Sequence, residues 1–478
     1  MRDTHYCPNR RQFIRDAFLL ASGALSNAGT WAAQKGFPTV RVPEAARKFK
    51  SPAVEGCIER ISSSIGNKEL AWMFGNCFPN TLDTTVEFSV TNGKPDTFMC
   101  TGDIPKMWLR DSTVQVWPYL DLMKKDPALQ QLIAGVIYRQ TRSVLIDPYA
   151  NGFHKDPTAT GGRWSEDLTD MKPGVHERKW ELDSLCFPIR LAYGYWKASH
   201  DTTPFDSDWR DSISLTLRTF REQQRKTDRG PYRFQRRTIV PTDSLAGDGY
   251  GLPIKPVGLI CSMFRPSDDA TIFPFLVPSN FLAVVSLRQA AELLQHIGEP
   301  ALALACRELA EEVAHALGQW AIVQRAHVGR LYAYEVDGFG NSYCMDDSSL
   351  PNLLMLPYLG AVKRDDAVYR NTRHLVLSDD NPYYFKGKAA EGPGGPHAGL
   401  DMIWPLGIIQ RALTSTDDHD IRSCLQTLQQ THAGTGFMHE AFNKDNPKQY
   451  TRAWFAWANT SFGELILKVS RERPYLLD

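Results

Sequence analysis

The sequence predicts an all-α protein built as an (α/α)6 barrel, a closed ring of helical hairpins with minor β insertions. From about residue 43 onward, apolar residues spaced as i, i+3, i+4 and i+7 recur between loops rich in Gly, Pro, Asp and Asn. A stacked solenoid would repeat a sequence period of about 20–50 residues, and no such period is visible. Because loops that converge on one pocket are expected to differ from one another, we favour the closed ring over the open solenoid.

The predicted helices come in consecutive pairs, and the periodicity indicates about ten to twelve of them. Short β-like stretches at 232–234 and 330–336 lie between helices without alternating regularly with them, which disfavours a Rossmann sheet or a TIM barrel. The predicted helical segments are 112–123 with 128–145, 185–198 with 209–223, 281–296 with 301–324, a weaker 350–359, 403–413 with 421–431, and 453–469.

Composition excludes several classes of protein. The 478 residues include 54 Lys+Arg and 54 Asp+Glu, and a balanced charge argues against a dedicated nucleic-acid binder. Hydrophobic residues at 42% and charged residues at 23% are typical of a globular chain rather than a disordered one. After the N-terminal segment, no apolar run reaches the ~20 residues of a membrane span.

The N-terminus is predicted to be an export signal. Residues 9–15 carry paired arginines, residues 17–25 are apolar, and small residues suited to a cleavage site follow. This order resembles a bacterial twin-arginine signal, although Asn9 and Ile14 depart from its usual pattern. We therefore expect residues 1–33 to be a signal, residues 34–478 to be one catalytic domain, and the protein to work in the periplasm or outside the cell.

The loops before the helices combine carboxylates with aromatic rings or arginines. Sugars need this mixture, because carboxylates and arginines hydrogen-bond to adjacent hydroxyls while aromatic rings cover apolar C–H faces. The alternative for any single cluster is helix capping by Asp or Ser, although capping alone does not account for so many clusters. The candidate hydroxyl-binding residues are Arg110, Asp111, Asp183, Arg265, Asp346, His397, Asp401, His439 and Arg452, and the candidate stacking rings are Trp108, Trp404 and Trp454.

Four motifs together resemble glycoside hydrolase family 125. They are Asp103–Ser112, Phe264–Ala270, Pro278–Asn280 and Gly436–Glu440. The resemblance spans about residues 50–470, and it implies an (α/α)6 barrel and an inverting, metal-independent exo-α-1,6-mannosidase. It places the general acid at Asp268 or Asp269, the general base at Glu440, and Asn280 among the substrate-binding residues.

The choice between Asp268 and Asp269 stays open at the level of sequence. A general acid must keep its proton near neutral pH, and an adjacent carboxylate helps by disfavouring ionisation. A helix N-terminus and the nearby Arg265 have the opposite effect. Our hypothesis is that one Asp caps the helix while the other faces a desolvated pocket. The base of an inverting enzyme is expected about 6.5–9.5 Å from the acid, which leaves room for a water molecule.

We expect a glycan with terminal α-1,6-mannose as the substrate, no cofactor, no resident metal ion and a monomeric protein. The nine cysteines stand singly without CxxC or zinc-ligand spacing, so they are expected to be free and to pack in the core. Asp346 and Asp347 could join a distant acid around Ca²⁺, an interpretation we disfavour. The alternatives are an α/α-barrel glycosidase for another sugar or linkage, a uronate lyase, and a non-catalytic glycan-binding protein.

Overall fold

Thirteen α-helices lie in residues 36–478, the part of the chain that this computed structural model describes. The predicted export signal lies outside the described residues. Residues Val40 to Asp478 form one compact unit. The helices are α1 (Pro52–Ser64), α2 (Lys68–Cys77), α3 (Asn80–Thr84), α4 (Leu109–Val116), α5 (Pro127–Ile146), α6 (Leu182–Ser199), α7 (Ser207–Gln223), α8 (Val277–His296), α9 (Pro300–Trp320), α10 (Ala367–Val376), α11 (Pro405–Thr414), α12 (Asp418–Thr431) and α13 (Ala456–Glu472).

Helix starts follow local sequence signals. Asp126 caps α5 by accepting the Leu129 N–H, and Pro127 occupies the first helical position, where a missing N–H costs nothing. Asp206 caps α7 in the same way. The five inner helices α4, α6, α8, α11 and α13 instead begin after residues whose side chains make no capping bond. The side chains before these helices are therefore available for other contacts.

The helices form an (α/α)6 barrel. In the inner layer α4 packs on α6, α6 packs on α8, α11 packs on α13, and α13 packs back on α4, which closes the ring. In the outer layer α5 packs on α7, α9 lies against α8, α12 lies against α11, and α2 lies against α13. The inner helices α4, α6, α8 and α11 are each followed in the chain by an outer helix, whereas α13, the last inner helix, packs on α2 from the start of the unit.

The sixth inner position differs from prediction. Residues 353–360 form consecutive hydrogen-bonded turns there, where the sequence predicts a helix over 350–359. Asn352 donates to Gln410 of α11 and Tyr358 donates to Glu464 of α13, which anchors this segment in the ring. Pro351 and Pro357 explain the difference, because proline lacks the N–H that a continuous helix needs.

Small antiparallel sheets complete the loops. Helix α9 ends at Trp320, earlier than predicted, because β-branched Ile322 and Val323 enter a strand. The predicted stretch 330–336 overlaps two short strands, whereas 232–234 is irregular. The strands are β1 (Val86–Thr91), β2 (Lys94–Met99), β3 (Met107–Trp108), β4 (Gly152–Phe153), β5 (Val175–Glu177), β6 (Phe275–Leu276), β7 (Ile322–Arg325), β8 (Gly329–Tyr332), β9 (Glu335–Val336), β10 (Ser342–Tyr343), β11 (Tyr384–Lys386), β12 (Glu391–Pro393), β13 (Met402–Ile403) and β14 (Phe442–Asn443). They pair as β1-β2, β3-β4-β5, β6-β9-β10, β7-β8, β11-β12 and β13-β14.

The core fills the space between the two helical layers. Every residue of α4 is buried, including Arg110 and Asp111, because an inner helix is covered on all sides. The eight cysteines of the described range are free thiols, and six of them are buried, as expected. Across residues 36–478, no helix has both the length and the apolar character that a membrane crossing requires.

Candidate active site

The N-terminal ends of the inner helices meet at one end of the barrel. Arg110 in the first turn of α4 bonds to Asp183 in the first turn of α6. Ser279 in the first turn of α8 donates to the other oxygen of the same carboxylate, at 3.4 Å. The pairing of β13 with β14 brings the loop before α11 beside the residues that follow Glu440. Site candidates that lie far apart in sequence therefore share this end.

A buried arginine links the carboxylates of this end. Arg110 Nη1 lies 2.9 Å from both Glu181 Oε2 and Asp183 Oδ2, and its guanidinium lies 5.7 Å from the centre of the Trp457 ring. Buried charges are tolerated only when they are paired in this way. Burial raises the pKa of Asp111 to about 6, and the pairing with Arg110 limits the increase.

Asp268 lies half-buried beside this network, in the left-handed backbone conformation with φ of 68°. Its Oδ1 accepts from Asn151 Nδ2 at 3.4 Å, its carboxyl is hydrogen-bonded to Glu181, and its main-chain carbonyl accepts from Lys179 at 2.7 Å. Burial raises the pKa of Asp268, but nearby positive charges, that of Lys179 foremost, outweigh burial and hold the pKa below its ordinary value. A left-handed conformation in a non-glycine residue is the kind of strain found at functional positions.

Asp269 lies in a different environment. It is buried, Ser267 Oγ donates to its Oδ2 at 3.2 Å, and His397 Nδ1 lies 4.0 Å from the same oxygen. The Asp347 carboxyl is close by, and burial together with the charge of Asp269 raises the pKa of Asp347. Neither Asp268 nor Asp269 caps a regular helix, contrary to our hypothesis, because Pro266–Ala270 belongs to an irregular loop.

Glu440 is held by residues that follow it in the chain. Thr451 Oγ1 donates to Oε2 at 2.9 Å and Arg452 Nε donates to Oε1 at 3.2 Å, while Arg452 also pairs with Asp103. The Glu440 side chain keeps 12% of its surface exposed. His439 stacks on Tyr450 with ring centres 3.9 Å apart, and its Nδ1 donates to the Arg452 carbonyl at 2.9 Å. Glu440 is therefore a fixed carboxylate with limited access to solvent.

The candidate stacking rings differ in exposure. Trp108 and Trp404 are both buried, with edge-to-face contacts to His176 at 5.7 Å and to His397 at 6.0 Å between ring centres. Trp454 is only half-buried. Trp454 is thus the most accessible of the three predicted stacking rings.

Four predicted substrate-binding residues make polar contacts with other residues of the protein. Arg265 pairs with Glu335 at 2.6 Å, and the Asn280 amide bonds only to main-chain groups of Ile260 and Leu276.

The other two are Asp346 and Asp401. Asp346 accepts the N–H groups of Leu353 and Leu354, and burial raises its pKa to about 8. Asp401 is exposed and lies 3.6 Å from Lys444. The polar atoms of Asn280 and Asp346 are thus directed to other residues of the protein, whereas Arg265 Nη2 makes no hydrogen bond to any described residue and the Asp401 carboxylate is exposed, and the predicted contacts of all four with a ligand stay predictions.

Sequence reasoning did not single out three residues of this site. Asn151, Lys179 and Glu181 all contact Asp268. Glu181 stands in the Trp180–Asp183 cluster, so its position was a usable signal. Lys179 has 1% of its surface exposed, and nothing in the sequence marks it as a buried charge. Within residues 36–478, no three His, Cys, Asp or Glu side chains are arranged to hold a metal ion.

An (α/α)6 barrel with carboxylates, arginines and aromatic rings gathered at one end of its inner helices is the architecture of a glycoside hydrolase. The family model for metal-independent alpha-mannosidases, glycoside hydrolase family 125, matches residues 67–467. The chain belongs to this family and is therefore an α-mannosidase.

The chain is similar to other known proteins over most of its length. The Meiotically up-regulated gene 157 protein of Schizosaccharomyces pombe is 39% identical over 98% of this chain and 94% of its own length. A metal-independent α-mannosidase of Streptococcus pneumoniae, solved in a non-productive complex with α-1,6-mannobiose, is 38% identical. It covers 89% of this chain and 100% of its own, with a TM-score of 0.85. The glucoamylase of Saccharomycopsis fibuligera shares the fold, with a TM-score of 0.52 at 12% identity over 90% of this chain and 98% of its own.

Proposed function

We propose that the protein releases terminal non-reducing mannose from α-1,6-mannosides by single-displacement hydrolysis with inversion. The observation that carries this proposal is the presence of two separately held carboxyl groups, Asp268 and Glu440, on loops that precede inner helices at the same end of the barrel. The α-1,6-mannobiose bound by the Streptococcus pneumoniae relative supports the choice of sugar and linkage.

Asp268 is the better candidate for the general acid. Asp269 is enclosed by Ser267 and lies near His397, whereas Asp268 keeps part of its surface exposed. In the proposed reaction Asp268 gives its proton to the glycosidic oxygen as the bond between that oxygen and C1 breaks. This step lets the leaving sugar depart as a neutral alcohol.

Glu440 is the proposed general base. It takes a proton from the water molecule that attacks C1 on the face opposite the leaving group, so one bond to C1 forms as the other breaks. The hydrogen bonds from Thr451 and Arg452 hold the carboxylate in one orientation, which a base acting on a single water molecule requires.

The floor of the site supports exo action. Arg110 lies over Trp457 and bonds to Glu181 and Asp183 through Nη1 while its Nε makes no hydrogen bond within residues 36–478, so protein groups close the inner end of the site and Arg110 keeps one donor for a ligand. A closed floor suits a chain end rather than the middle of a polysaccharide. Arg110 and Asp111 are the charged groups of α4 nearest to that floor, and we assign them to the hydroxyls of the terminal mannose.

Time-resolved proton NMR of α-1,6-mannobiose hydrolysis in excess EDTA tests this function. Early appearance of β-mannose is the expected result, since a single displacement inverts the anomeric centre. Early α-mannose would refute the acid and base pair, and loss of activity in EDTA would refute metal independence. A folded protein that releases no mannose would favour another linkage or a glycan-binding protein.

We further propose that residues 1–33 direct export through the twin-arginine route. Fusing residues 1–40 to a reporter that is active only outside the cytoplasm provides the test. The fusion is expected to be exported, and a control with both Arg10 and Arg11 changed to Lys is expected to remain inside. Equal export of the two fusions would refute the proposal.

A further inference from the structure

Glu181 lies directly behind the proposed general acid. It has no exposed surface, its Oε2 lies 2.9 Å from Arg110 Nη1, and Ser184 Oγ donates to the same oxygen at 2.8 Å. The Asn151 amide nitrogen lies 3.3 Å from Glu181 Oε1 and 3.4 Å from Asp268 Oδ1. Glu181 and Asp268 therefore meet at one amide and are hydrogen-bonded to each other.

Two carboxyl groups in hydrogen-bond contact cannot both ionise without strong repulsion, so one proton lies between them. The surroundings favour the same outcome, because with Glu181 and Asp268 themselves six carboxyl groups share four basic side chains. The charged groups that face it are the acids Asp111, Glu177, Asp183 and Asp243 and the cations Arg110, Lys179, Arg236 and His397 when protonated.

Arg110 and Lys179 each contact more than one carboxylate. Arg110 bonds to both Glu181 and Asp183, and Lys179 lies 3.1 Å from Asp243 and 4.0 Å from Glu177. Burial raises the pKa of Glu181. Burial also acts to raise the pKa of Asp268, but the positive charges nearby, that of Lys179 foremost, outweigh burial and lower the pKa. Glu181 has no exposed surface whereas Asp268 keeps part of its own, so the negative charge of the pair is better placed on Asp268 and the shared proton on Glu181.

We propose that Glu181 is a positioning residue that stores the proton of the general acid and passes it to Asp268 when a sugar fills the site. This inference rests on the proposed function, in which Asp268 protonates the leaving group. It resolves a conflict within that function, because an ionised Asp268 has no proton to donate.

The proton transfers balance over one turnover. The Glu181 O–H bond breaks as the Asp268 O–H bond forms, and the Glu181 carboxylate is left facing Arg110 and Ser184. Asp268 then gives the proton to the glycosidic oxygen, while Glu440 receives one from the attacking water. After the products leave, Glu440 releases its proton to solvent and the carboxyl pair takes one up.

The test compares Glu181→Gln with the native enzyme on two substrates. α-1,6-Mannobiose needs a protonated leaving group, whereas α-mannosyl fluoride does not, because fluoride departs as a stable anion. Glu181→Gln keeps the shape and a hydrogen bond but cannot store the proton. We expect about a 10²–10⁴-fold loss of kcat on mannobiose, the range of general-acid effects, with a change of only a few-fold on the fluoride.

The pH profile gives a second measurement that a purely structural role would not change. The alkaline limb of kcat/KM for mannobiose reports loss of the acid's proton, and Glu181→Gln is expected to move it to lower pH. The conservative variant Glu181→Asp restores a titratable group, and part of the lost activity on mannobiose is expected to return. Thermal melting verifies that each variant is folded.

Glu177→Gln is the matched control. Glu177 is as buried as its neighbours and lies 3.3 Å from the same Asn151 amide, but it contacts Arg236 instead of Asp268. Its substitution is expected to affect the two substrates equally and to leave the alkaline limb in place.

Asp268→Asn separates this inference from the proposed function. If Asp268→Asn loses activity on mannobiose but not on the fluoride, the acid assignment is supported. In that case a Glu181→Gln enzyme with an unchanged alkaline limb, or with equal losses on both substrates, overturns the inference alone. Full activity of Asp268→Asn on mannobiose would overturn both.

Discussion

The two ends of the barrel differ in their connections. At the end where inner helices finish, the links to the outer helices are short, such as residues 297–299 and 415–417. At the end where inner helices begin, the links are long, such as residues 147–181, 224–276 and 432–455. Asp268, Glu181 and Glu440 all lie in these long links. The helices thus form the scaffold, and the proposed catalytic residues lie in the connecting segments, whose sequence and length can vary most.

The two ends also differ in the number of charged partners around their buried carboxyl groups. At the end with short links, a cavity of about 470 Å³ is lined by Trp117, Tyr358, Glu464 and Leu467 among others. Its Glu464 accepts from the Tyr358 hydroxyl at 2.8 Å and lies near the charge of Arg190. At the end with long links, Arg110 and Lys179 each contact two carboxylates. Ionisation of an isolated buried acid affects the stability of the fold. A cluster of carboxyl groups that share cations can also bind a proton and transfer it between its members.

The largest expected effect concerns Glu440 at the catalytic end. Glu440→Gln preserves the shape of the side chain but cannot accept a proton from water, so kcat on α-1,6-mannobiose is expected to fall by about 10²–10⁴-fold. Initial rates of mannose release provide the measurement. Unlike Glu181→Gln, this variant is expected to be impaired on α-mannosyl fluoride as well, since both substrates need the water molecule. Activity within a few-fold of the native enzyme would exclude Glu440 as the base.

Arg110 provides the next largest effect, on stability. Arg110→Met leaves Glu181 and Asp183 buried without their cation, and the free energy of unfolding is expected to fall by about 3–5 kcal/mol. Urea denaturation measures the change. Arg190→Met is the matched control at the other end, where the guanidinium stacks on Trp117 at 4.1 Å, and its loss is expected to be smaller. Equal losses would contradict the comparison.

Glu464 is expected to affect only the pH dependence of stability. Burial raises its pKa from 4.5 to about 7 in the folded protein. The folded state therefore holds a proton that the unfolded state releases, so this group's stabilising contribution is present below about pH 4.5 and is lost as pH rises through 7.

Urea midpoints of the native protein and of Glu464→Gln, measured at pH 5 and pH 8, test this expectation. The native protein should lose more stability between the two pH values than the variant does. Mannose release should be the same in both, because Glu464 lies at the end away from the carboxylate network. An identical pH dependence of the two midpoints would refute the assigned pKa shift.

Asp401 is expected to give the smallest effect. It was predicted from sequence to bind substrate, but it is exposed and its near partner is Lys444. Asp401→Asn is expected to change the free energy of unfolding by no more than about 0.5 kcal/mol, as for other surface substitutions, and KM by less than a few-fold. A large increase in KM would restore the original prediction for this residue.

Local patterns in the sequence were sufficient for most helices and for the loops that carry the candidate site residues. The segments 185–198, 209–223 and 281–296 were predicted well, because helical periodicity is a property of neighbouring residues. The same reasoning fails at 350–359, where two prolines interrupt an apolar run. The loops before α4 and α6 were identified because acidic, basic and aromatic residues cluster within a few positions.

Tertiary structure decided which side chains have polar atoms left for a ligand. Asn280 and Asp346 carry suitable chemistry, but main-chain groups occupy their hydrogen-bonding atoms, whereas Arg265 pairs with Glu335 through Nε and keeps Nη2 without a hydrogen bond in the part of the chain that the structure describes. Conversely, Glu181 gains its importance from Asp268, a residue far along the chain.

The sequence by itself determined the barrel, the family and the loops that carry the candidate residues, because these depend on local patterns and on motifs of adjacent residues. The tertiary structure alone decided that Glu181 lies behind Asp268 and that Glu440 lies beside Arg452. Protonation and orientation depend on burial and on charges a few ångströms away in space, and those distances are set only when the ring of helices closes.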